Sequence, residues 1–279
     1  MTLGDFGKAE TLTLKSLEIS KDLKNRIREA DECGNLGLIY QMIGDFKKAE
    51  KYLQISRELF EELNHKEGLA SQLMNLAGVY TALGDLDEAE KYLREAVNKN
   101  EEIGSQIAIA SSLGNLGIFY QNKGDFLKAE EMILKAMDID RRIGDQISLA
   151  GNYNNLGTLY QKMMNVERAI EMFKKALEIN IGINRPMGVA MQYSSLGDIY
   201  RVLGNFDKAE EMLKKSLELS SSIGYTHGVG SSLCNLGLLF ASKGDLKQAD
   251  QYWVKSRDIF RAMGLKREFE FVKRLIEEL

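Results

Sequence analysis

The stretch NLGIFYQNKGDFLKAEEMILKA, residues 115–136, decides the fold. Leu116 and Tyr120 are spaced as on one face of a helix, and Ala129 and Ile133 repeat that spacing further on. The KGD sequence between them interrupts the pattern, because its glycine can adopt a positive φ and its aspartate can cap a following helix. The stretch therefore predicts two helices joined by a tight turn.

The same pattern returns along the chain with a period of 40 residues. Each copy has Asn-Leu-Gly or a close variant, followed by an aromatic residue and then an alanine at fixed spacing. The first residues are Asn35, Asn75, Asn115, Asn155, Ser195 and Asn235, and the alanines are Ala49, Ala89, Ala129, Ala169, Ala209 and Ala249. A register kept without insertion or deletion predicts a stack of identical helix pairs.

Small residues inside the predicted helices indicate where the two helices of a pair meet. A glycine in a helix costs about 0.5–1 kcal/mol relative to alanine, so Gly117 and Gly157 mark positions where a side chain would hold the second helix away. Large residues on the second helix, among them Phe173 and Trp253, are expected to fill this seam. Trp253 is therefore interpreted as a packing residue and not as a platform for a cofactor.

The predicted helix ends follow the same logic. Second helices are expected to end at glycines such as Gly144, with Asn64 and Asn184 as substitutes, and Pro186 begins a first helix, where its missing N–H costs nothing. Met164 replaces the glycine of the turn within one pair, which we interpret as tolerated variation. The residue after it, Asn165, is expected to cap the next helix.

The order Leu-Gly-x-x-Tyr, Gly-Asp-Phe, Ala, a large residue and then Ala or Ser resembles the tetratricopeptide repeat. The resemblance covers nearly the whole chain. The unit is longer than the family's commonest repeat, about 34 residues, and is similar to the extended repeats of the Pins/LGN-like and kinesin light chain branches. Glycine also replaces the proline that often ends the family's second helix. The resemblance implies an all-α, right-handed superhelical solenoid of antiparallel helix pairs.

The helix count predicts one domain over residues 1–279. A lone second helix at 5–23 comes first, six helix pairs follow at 26–264, and a capping helix at 265–279 closes the stack, which gives about 14 helices. The capping helix has one apolar stripe, formed by Leu265, Phe269, Val272, Ile276 and Leu279. For the unpaired first helix two interpretations stay open: a natural start, or a segment cut from a longer array.

Composition limits the function classes. A formal net charge of -4 argues against general affinity for nucleic acid, and no apolar run approaches the roughly 20 residues of a membrane span. Cys33 and Cys234 are five repeats apart and are expected to be free, half-buried thiols of a reducing compartment. The N-terminal sequence has no signal-peptide core. The expected location is cytoplasmic.

An enzyme is not expected. The chain has two histidines, His65 and His227, four repeats apart, and no convergent set of His, Cys or carboxylate groups for a metal or a nucleophilic triad. The sequence GDFGKAE lacks the spacing of a phosphate-binding loop. No cofactor is predicted.

A binding face is predicted on the first helices, which should line the concave side of a curved stack. Small and amide-bearing residues recur there, and an amide can pair with a peptide bond of any sequence. In the O-GlcNAc transferase repeats, which belong to the resembling family, matching asparagines form a ladder along the bound peptide. By position this implicates Asn35, Asn75, Asn115, Asn155 and Asn235, with Ser195 as a gap, beside Gln121, Asn154 and Gln161. The alternative is that each asparagine bonds to a neighbouring helix and fixes repeat stacking.

Charge adds a further candidate. Lys162 and Arg201 lie on adjacent first helices and could hold a carboxylate of a partner. Asp198 precedes Arg201 by three residues, so an ion pair within one helix is the alternative.

The functional prediction is a non-catalytic scaffold that binds a peptide segment of a partner protein in its concave groove. The alternatives are a regulatory or sensor module cut from a larger signalling or transcription protein, and a self-associating structural element. A monomer is expected, with end-to-end association through the unpaired first helix as the other possibility, and neither nucleic acid nor membrane is expected as a partner.

Overall fold

The computed structural model describes the backbone of residues 3–278 and the side chains of residues 6–278, and all its regular structure in that range is helical. Fourteen helices lie within the described residues, which confirms the predicted all-α fold. They are α1 (Leu3–Asp22), α2 (Arg26–Ile43), α3 (Phe46–Glu62), α4 (Lys66–Leu83), α5 (Leu86–Ile103), α6 (Gln106–Lys123), α7 (Phe126–Ile143), α8 (Gln146–Lys162), α9 (Val166–Gly182), α10 (Pro186–Val202), α11 (Phe206–Ser222), α12 (Thr226–Ser242), α13 (Leu246–Ala262) and α14 (Lys266–Glu277).

Helix contacts divide the chain into two units, which are described separately. In the first unit, which ends at Gly144, α1 packs on α2, and the pairs α2/α3, α4/α5 and α6/α7 follow in order. In the second unit, from Asp145 onward, the pairs are α8/α9, α10/α11 and α12/α13, and α14 packs on α13. Within each unit the second helix of a pair also contacts the first helix of the next, which is the arrangement of an α-solenoid. The prediction of one continuous domain stays a prediction.

The seam within each pair is as close as the glycines predict. A Cβ on Gly157 would lie 2.6 Å from the Phe173 ring, and one on Gly117 would lie 2.6 Å from Cγ1 of Ile133. Trp253 fills the same place against Gly237, is 3% exposed, and donates from Nε1 to the Cys234 carbonyl at 3.1 Å. The tryptophan is a packing residue, as predicted.

The turns form as expected from their residues. Gly124 has φ of +87°, and Asp125 caps α7 by accepting a hydrogen bond from the Lys128 N–H at 3.2 Å. Met164 adopts the same left-handed region with φ of +59°. Asn165 then caps α9, because its Oδ1 atom accepts a hydrogen bond from the Arg168 N–H at 3.3 Å. The departure at Met164 therefore keeps the turn geometry, although a residue with a Cβ is strained there.

A repeated hydrogen bond joins successive repeats of the first unit. Tyr40, Tyr80 and Tyr120 donate from their hydroxyl groups to Glu10, Glu50 and Glu90 at 2.5, 2.6 and 2.7 Å. Each bond links the first helix of one repeat to the second helix of the repeat before it. In the second unit the corresponding residues are Tyr160, Tyr200 and Phe240, and Phe240 lacks the hydroxyl.

The C-terminal helix closes the second unit. Val272 is fully buried, and Leu265, Phe269 and Ile276 pack against the same core cluster around Trp253. The predicted stripe extends to Leu279, which lies outside the described residues. None of the described helices is both long enough and apolar enough to cross a membrane.

Candidate functional site

The candidate site is the face of the first helices that carries the recurring asparagines, here called the A-helix face. In the first unit the asparagines come together in two recesses. Asn35 and Asn75 line a recess of about 450 Å³ beside Glu32. Asn75 and Asn115 line the next, of about 380 Å³, beside Ile118. The fixed repeat therefore brings side chains that are 40 residues apart in sequence to the edges of one recess.

Hydrogen bonding differs between these asparagines. Asn35 donates to Glu32 and Asn75 donates to Gln72, both at 3.3 Å and both within one helix. Asn115 is exposed and makes no side-chain hydrogen bond to any described residue. The amides in this unit are thus either unengaged or held by long bonds to their own helix.

In the second unit the amides take part in bonds between repeats. Asn154 accepts from Nε2 of Gln192 at 3.1 Å, and Asn235 donates to Oγ of Ser194 at 3.0 Å. Asn155 is half-buried and has no side-chain hydrogen bond within the described chain. The stacking alternative is thus present at Asn235 and not at Asn155.

A charged network crosses three first helices of this unit. Gln161 of α8 donates to Oδ2 of Asp198 at 3.0 Å, and Arg201 forms an ion pair with Oδ1 of the same carboxylate at 2.7 Å. Arg201 also donates to Oγ of Ser242 on α12 at 3.4 Å. The ion pair between Asp198 and Arg201 within α10, which was the alternative interpretation of the sequence, is therefore formed. Lys162, the last residue of α8, is exposed.

Gln121 lies differently from the expectation for a groove-facing residue. Its side chain is 7% exposed, and its Oε1 atom has no hydrogen-bond partner among the described residues. Packing has enclosed it, because the last turn of α6 also buries Phe119 and Tyr120. Its role in peptide binding stays a prediction, but the amide is not on the accessible surface.

Sequence reasoning missed Asp198 and Gln192 as bridging residues. The signal was available in the repeat register. Gln161 and Asp198 are separated by 37 residues, and Asn154 and Gln192 by 38, so each pair is nearly one repeat apart. Side chains near the same helical level of successive first helices therefore meet.

Cys33 and Cys234 are both buried thiols. Cys234 lines a recess of about 510 Å³ with Asn235, Phe271 and Arg274, and burial raises the pKa of its thiol to about 12. Burial likewise raises the pKa of Cys33 to about 11. Both cysteines are free, as expected, and both are buried where partial burial was expected. Each thiol is protonated at neutral pH.

Helix pairs stacked in order, with a recessed polar face along their first helices, define a helical-repeat protein. The tetratricopeptide repeat model matches residues 27–102, 108–181 and 189–262, which is more than half of the chain. The chain belongs to the tetratricopeptide repeat family. No curated protein sequence matches it significantly.

Several solved structures have a similar fold. BtubC (BKLC) from P. vanneervenii is 25% identical with a TM-score of 0.69, and the match covers 80% of this chain and 93% of that one. A Rap protein complexed with competence and sporulation factor is 16% identical with a TM-score of 0.64, over 90% of this chain and 74% of that one. A STAND protein with a tetratricopeptide repeat sensor from Pyrococcus horikoshii is 20% identical with a TM-score of 0.69, over 93% of this chain and 40% of that one.

Proposed function

We propose that this protein is a non-catalytic interaction module that binds a peptide segment of a partner protein along its A-helix face. The observation that carries the proposal is the state of Asn115 and Asn155. Both occupy the same repeat position, both are accessible, and neither makes a side-chain hydrogen bond to a described residue. An amide that is not needed for stacking is available to a partner.

The chemistry of an amide suits a backbone target. Its N–H groups donate to a peptide carbonyl while its oxygen accepts from a peptide N–H, whatever the side chains of the segment. Asn75 can exchange its 3.3 Å bond to Gln72 for such contacts at little cost, because a long bond between neutral amides is weak. The 3.3 Å bond of Asn35 is to the Glu32 carboxylate, and its exchange costs more because the acceptor is charged. Asn235 is bound to Ser194 at 3.0 Å and would contribute less.

The two cations predicted from the sequence, Lys162 and Arg201, have a smaller part in this proposal. Arg201 already satisfies Asp198, so holding a partner carboxylate would require that ion pair to open or to share its guanidinium. Lys162 is exposed and is the last residue of α8. We therefore assign backbone recognition to the asparagines and leave Lys162 and Arg201 as secondary contacts.

We further propose that the protein is not an enzyme and that it is cytoplasmic. The repeat family supports a scaffold and not an enzyme, and His65 acts here as a helix cap, accepting at Nδ1 from the Gly68 N–H at 3.0 Å. Free, buried cysteines are compatible with a reducing compartment, which supports a cytoplasmic location. A protein or peptide is the proposed partner, and nucleic acid and membrane are not.

The test is a selection of peptides from a random display library on the full chain, followed by affinity measurements on purified variants. Asn115→Ala and Asn155→Ala are compared with the parent by fluorescence anisotropy. The matched control is Glu131→Ala with Lys135→Ala, which removes an exposed ion pair from α7. We expect at least one asparagine variant to raise the Kd about fivefold or more, equivalent to about 1 kcal/mol. Folded variants that bind every selected peptide like the parent would contradict the proposal.

A sensor role is the second candidate. The STAND protein similar in fold carries its repeats as a sensor, and the present chain spans 40% of it. In this role a bound ligand would change the arrangement of successive repeats relative to one another within a longer protein. A reading frame joined to an effector domain would favour this role, and a free-standing frame would count against it.

Self-association is supported by one feature of α1. Leu12 and Ile19 of this helix are 67% and 58% exposed, and Leu23, directly after it, is 73% exposed. Light scattering over a wide concentration range distinguishes the possibilities, because a monomer at every concentration removes self-association through α1. A mass that rises with concentration and returns to the monomer value on Ile19→Glu would establish it.

A further inference from the structure

A polar cavity lies inside the second unit, between α8, α10, α11 and α12. Its volume is about 220 Å³, and it is lined by the hydroxyl groups of Ser194 and Ser220, the amide of Asn154 and the first turn of α12 at His227 and Gly228. No lysine, arginine, aspartate or glutamate is among the described residues that line it. A cavity of this kind suits a polar group that is larger than a water molecule.

The cavity lies beside a small residue of α11. The repeat position of Ser220 is occupied in the other helix pairs by Phe60, Asn100, Asp140, Asn180 and Phe260, all of which are larger. The Phe60 ring lies 2.6 Å from the point where a Cβ on Gly68 would stand, whereas the same point on Gly228 has the Tyr225 ring at 2.3 Å and the Ser220 hydroxyl at 2.6 Å. The small Ser220 side chain and the Tyr225 ring therefore both line the cavity beneath the first turn of α12.

The groups around this space include hydrogen-bond donors without acceptors. Ser220 is fully buried, and its Oγ atom has no partner among the described residues. The oxygen of Asn154 is already occupied by Gln192, which leaves the Asn154 Nδ2 group as a donor. Ser194 accepts from Asn235, so its hydroxyl hydrogen is also available. A ligand rich in acceptors would complete all three groups.

The N-terminus of α12, which lies at the cavity, also lacks a side-chain hydrogen-bond acceptor. α4, α6 and α8 are capped by His65, Ser105 and Asp145, each of which accepts from a backbone N–H of the first turn. α12 begins after Tyr225, which makes no side-chain capping bond. The Gly228 N–H is the group that a cap would satisfy. The partial positive charge of a helix N-terminus favours an anion there.

We propose that this cavity binds a carboxylate, held by the Ser220 hydroxyl, the Gly228 N–H and the Asn154 amide. The inference rests on the proposed function only for the source of the carboxylate. An aspartate or glutamate side chain of the bound segment would reach the cavity from the A-helix face, on which Met191 and Ser195 line its rim. A free small carboxylate would have the same chemistry.

The first experiment titrates the full chain with sodium acetate and records amide resonances by NMR, with sodium chloride at equal ionic strength as the reference. We expect a saturable shift of the Gly228 resonance. The matched reference is Gly68, whose N–H already donates to His65 and should not move. A Gly228 resonance that does not move, or that moves in step with Gly68, would overturn the proposal.

Two variants test the donors. Ser220→Ala removes the buried hydroxyl and should raise the Kd for acetate about tenfold, as expected for a bond to a charged group. Tyr225→Asp supplies an internal acceptor of the kind that Asp145 provides in α8, so it should abolish the saturable shift and raise the Tm. A Tyr225→Asp variant that binds acetate like the parent would refute the assignment, and its Tm and unchanged Gly68 resonance report that it is folded.

A last comparison identifies whether the carboxylate comes from a partner protein or from a free ligand. An acetylated and amidated pentapeptide with a central glutamate is compared with its glutamine counterpart and with free succinate. Tighter binding of the glutamate peptide than of succinate supports a carboxylate carried by a partner, and the reverse order supports a free ligand. Equal binding of the glutamine and glutamate peptides at Gly228 contradicts the proposal. Because acetate needs no partner, a failure here is distinct from a failure of the asparagine variants.

Discussion

The hydroxyl group of Tyr120 donates a hydrogen bond of 2.7 Å to Oε1 of Glu90, and this bond joins two successive repeats. Arg94 and Lys123 reach the same carboxylate at 3.1 and 2.8 Å. A hydroxyl and two cations therefore converge on one half-buried acid. Stacking in the first unit thus depends on a polar contact as well as on the apolar seam.

Removal of the Tyr120 hydroxyl should weaken this stacking. Tyr120 is 1% exposed, so Tyr120→Phe leaves Glu90 with one fewer donor at an unchanged ring position. We expect the free energy of unfolding to fall by about 1 kcal/mol, measured by urea denaturation. The converse change, Phe240→Tyr, faces Glu210 at the equivalent repeat position and should be tolerated. An unchanged stability in Tyr120→Phe would show that the bond contributes nothing.

The Glu90 carboxylate should make the free energy of unfolding depend on pH. Burial raises the pKa of Glu90, but hydrogen bonds from Lys123, Tyr120 and Arg94 outweigh it and hold the pKa at about 2, below the ordinary value of 4.5. Since the folded-state pKa is the lower one, this contribution to stability is present above pH 4.5 and is lost as the pH falls toward 2.

Glu90→Gln should therefore be less stable than the parent at pH 7, and the difference should shrink as the pH falls from 4.5 to 2. The measurement is urea denaturation at a series of pH values. Glu131→Gln, which changes an exposed acid of α7, is the control and should give a smaller effect at pH 7. A Glu90→Gln difference that stays constant over this range would contradict the assigned pKa.

Met164 holds a strained turn that glycine would relax. Its φ of +59° lies in the region where a Cβ costs about 1–2 kcal/mol, and its side chain is 82% exposed. Met164→Gly is expected to raise the stability by about 1 kcal/mol, seen as a higher midpoint in thermal unfolding. The opposite change, Gly124→Met, should lower it by a similar amount at the same turn of another repeat. Equal midpoints for Met164→Gly and parent would argue against strain.

Two glycines of α8 make a matched test of the seam. A Cβ on Gly157 would stand 2.6 Å from the Phe173 ring, whereas a Cβ on Gly151 would meet nothing within 4 Å. Gly157→Ala should destabilise by about 1–3 kcal/mol because the ring must shift. Gly151→Ala should stabilise by about 0.5–1 kcal/mol because alanine favours the helix. Calorimetric unfolding that gives both variants the same sign would refute the packing account.

Much of the local structure followed from residue type. The turn at Gly124 and Asp125, and the seam between Gly157 and Phe173, are properties of short segments, and the fixed period extended them to every repeat. Contacts between repeats were harder to predict. The Tyr120–Glu90 bond spans 30 residues, and nothing local to either residue indicates the other.

The candidate site was predictable in part. The repeat register placed Asn75 and Asn115 at one recess, as an ordered stack requires. The burial of Gln121 and the engagement of Arg201 by Asp198 depend on side-chain packing that periodicity does not encode. The cavity under α12 is lined by residues of four helices, among them Ser220 and Asn154, and no short segment of the sequence indicates that they meet.

We propose that asparagines of the A-helix face bind the backbone of a partner segment. The most direct measurement is a double-mutant cycle on a peptide selected by display. One arm is Asn155→Ala, and the other replaces each peptide amide in turn by an ester, which removes a backbone N–H and weakens the carbonyl. We predict a coupling of about 1 kcal/mol between Asn155 and one amide position. Strictly additive losses at every position would contradict backbone recognition by Asn155.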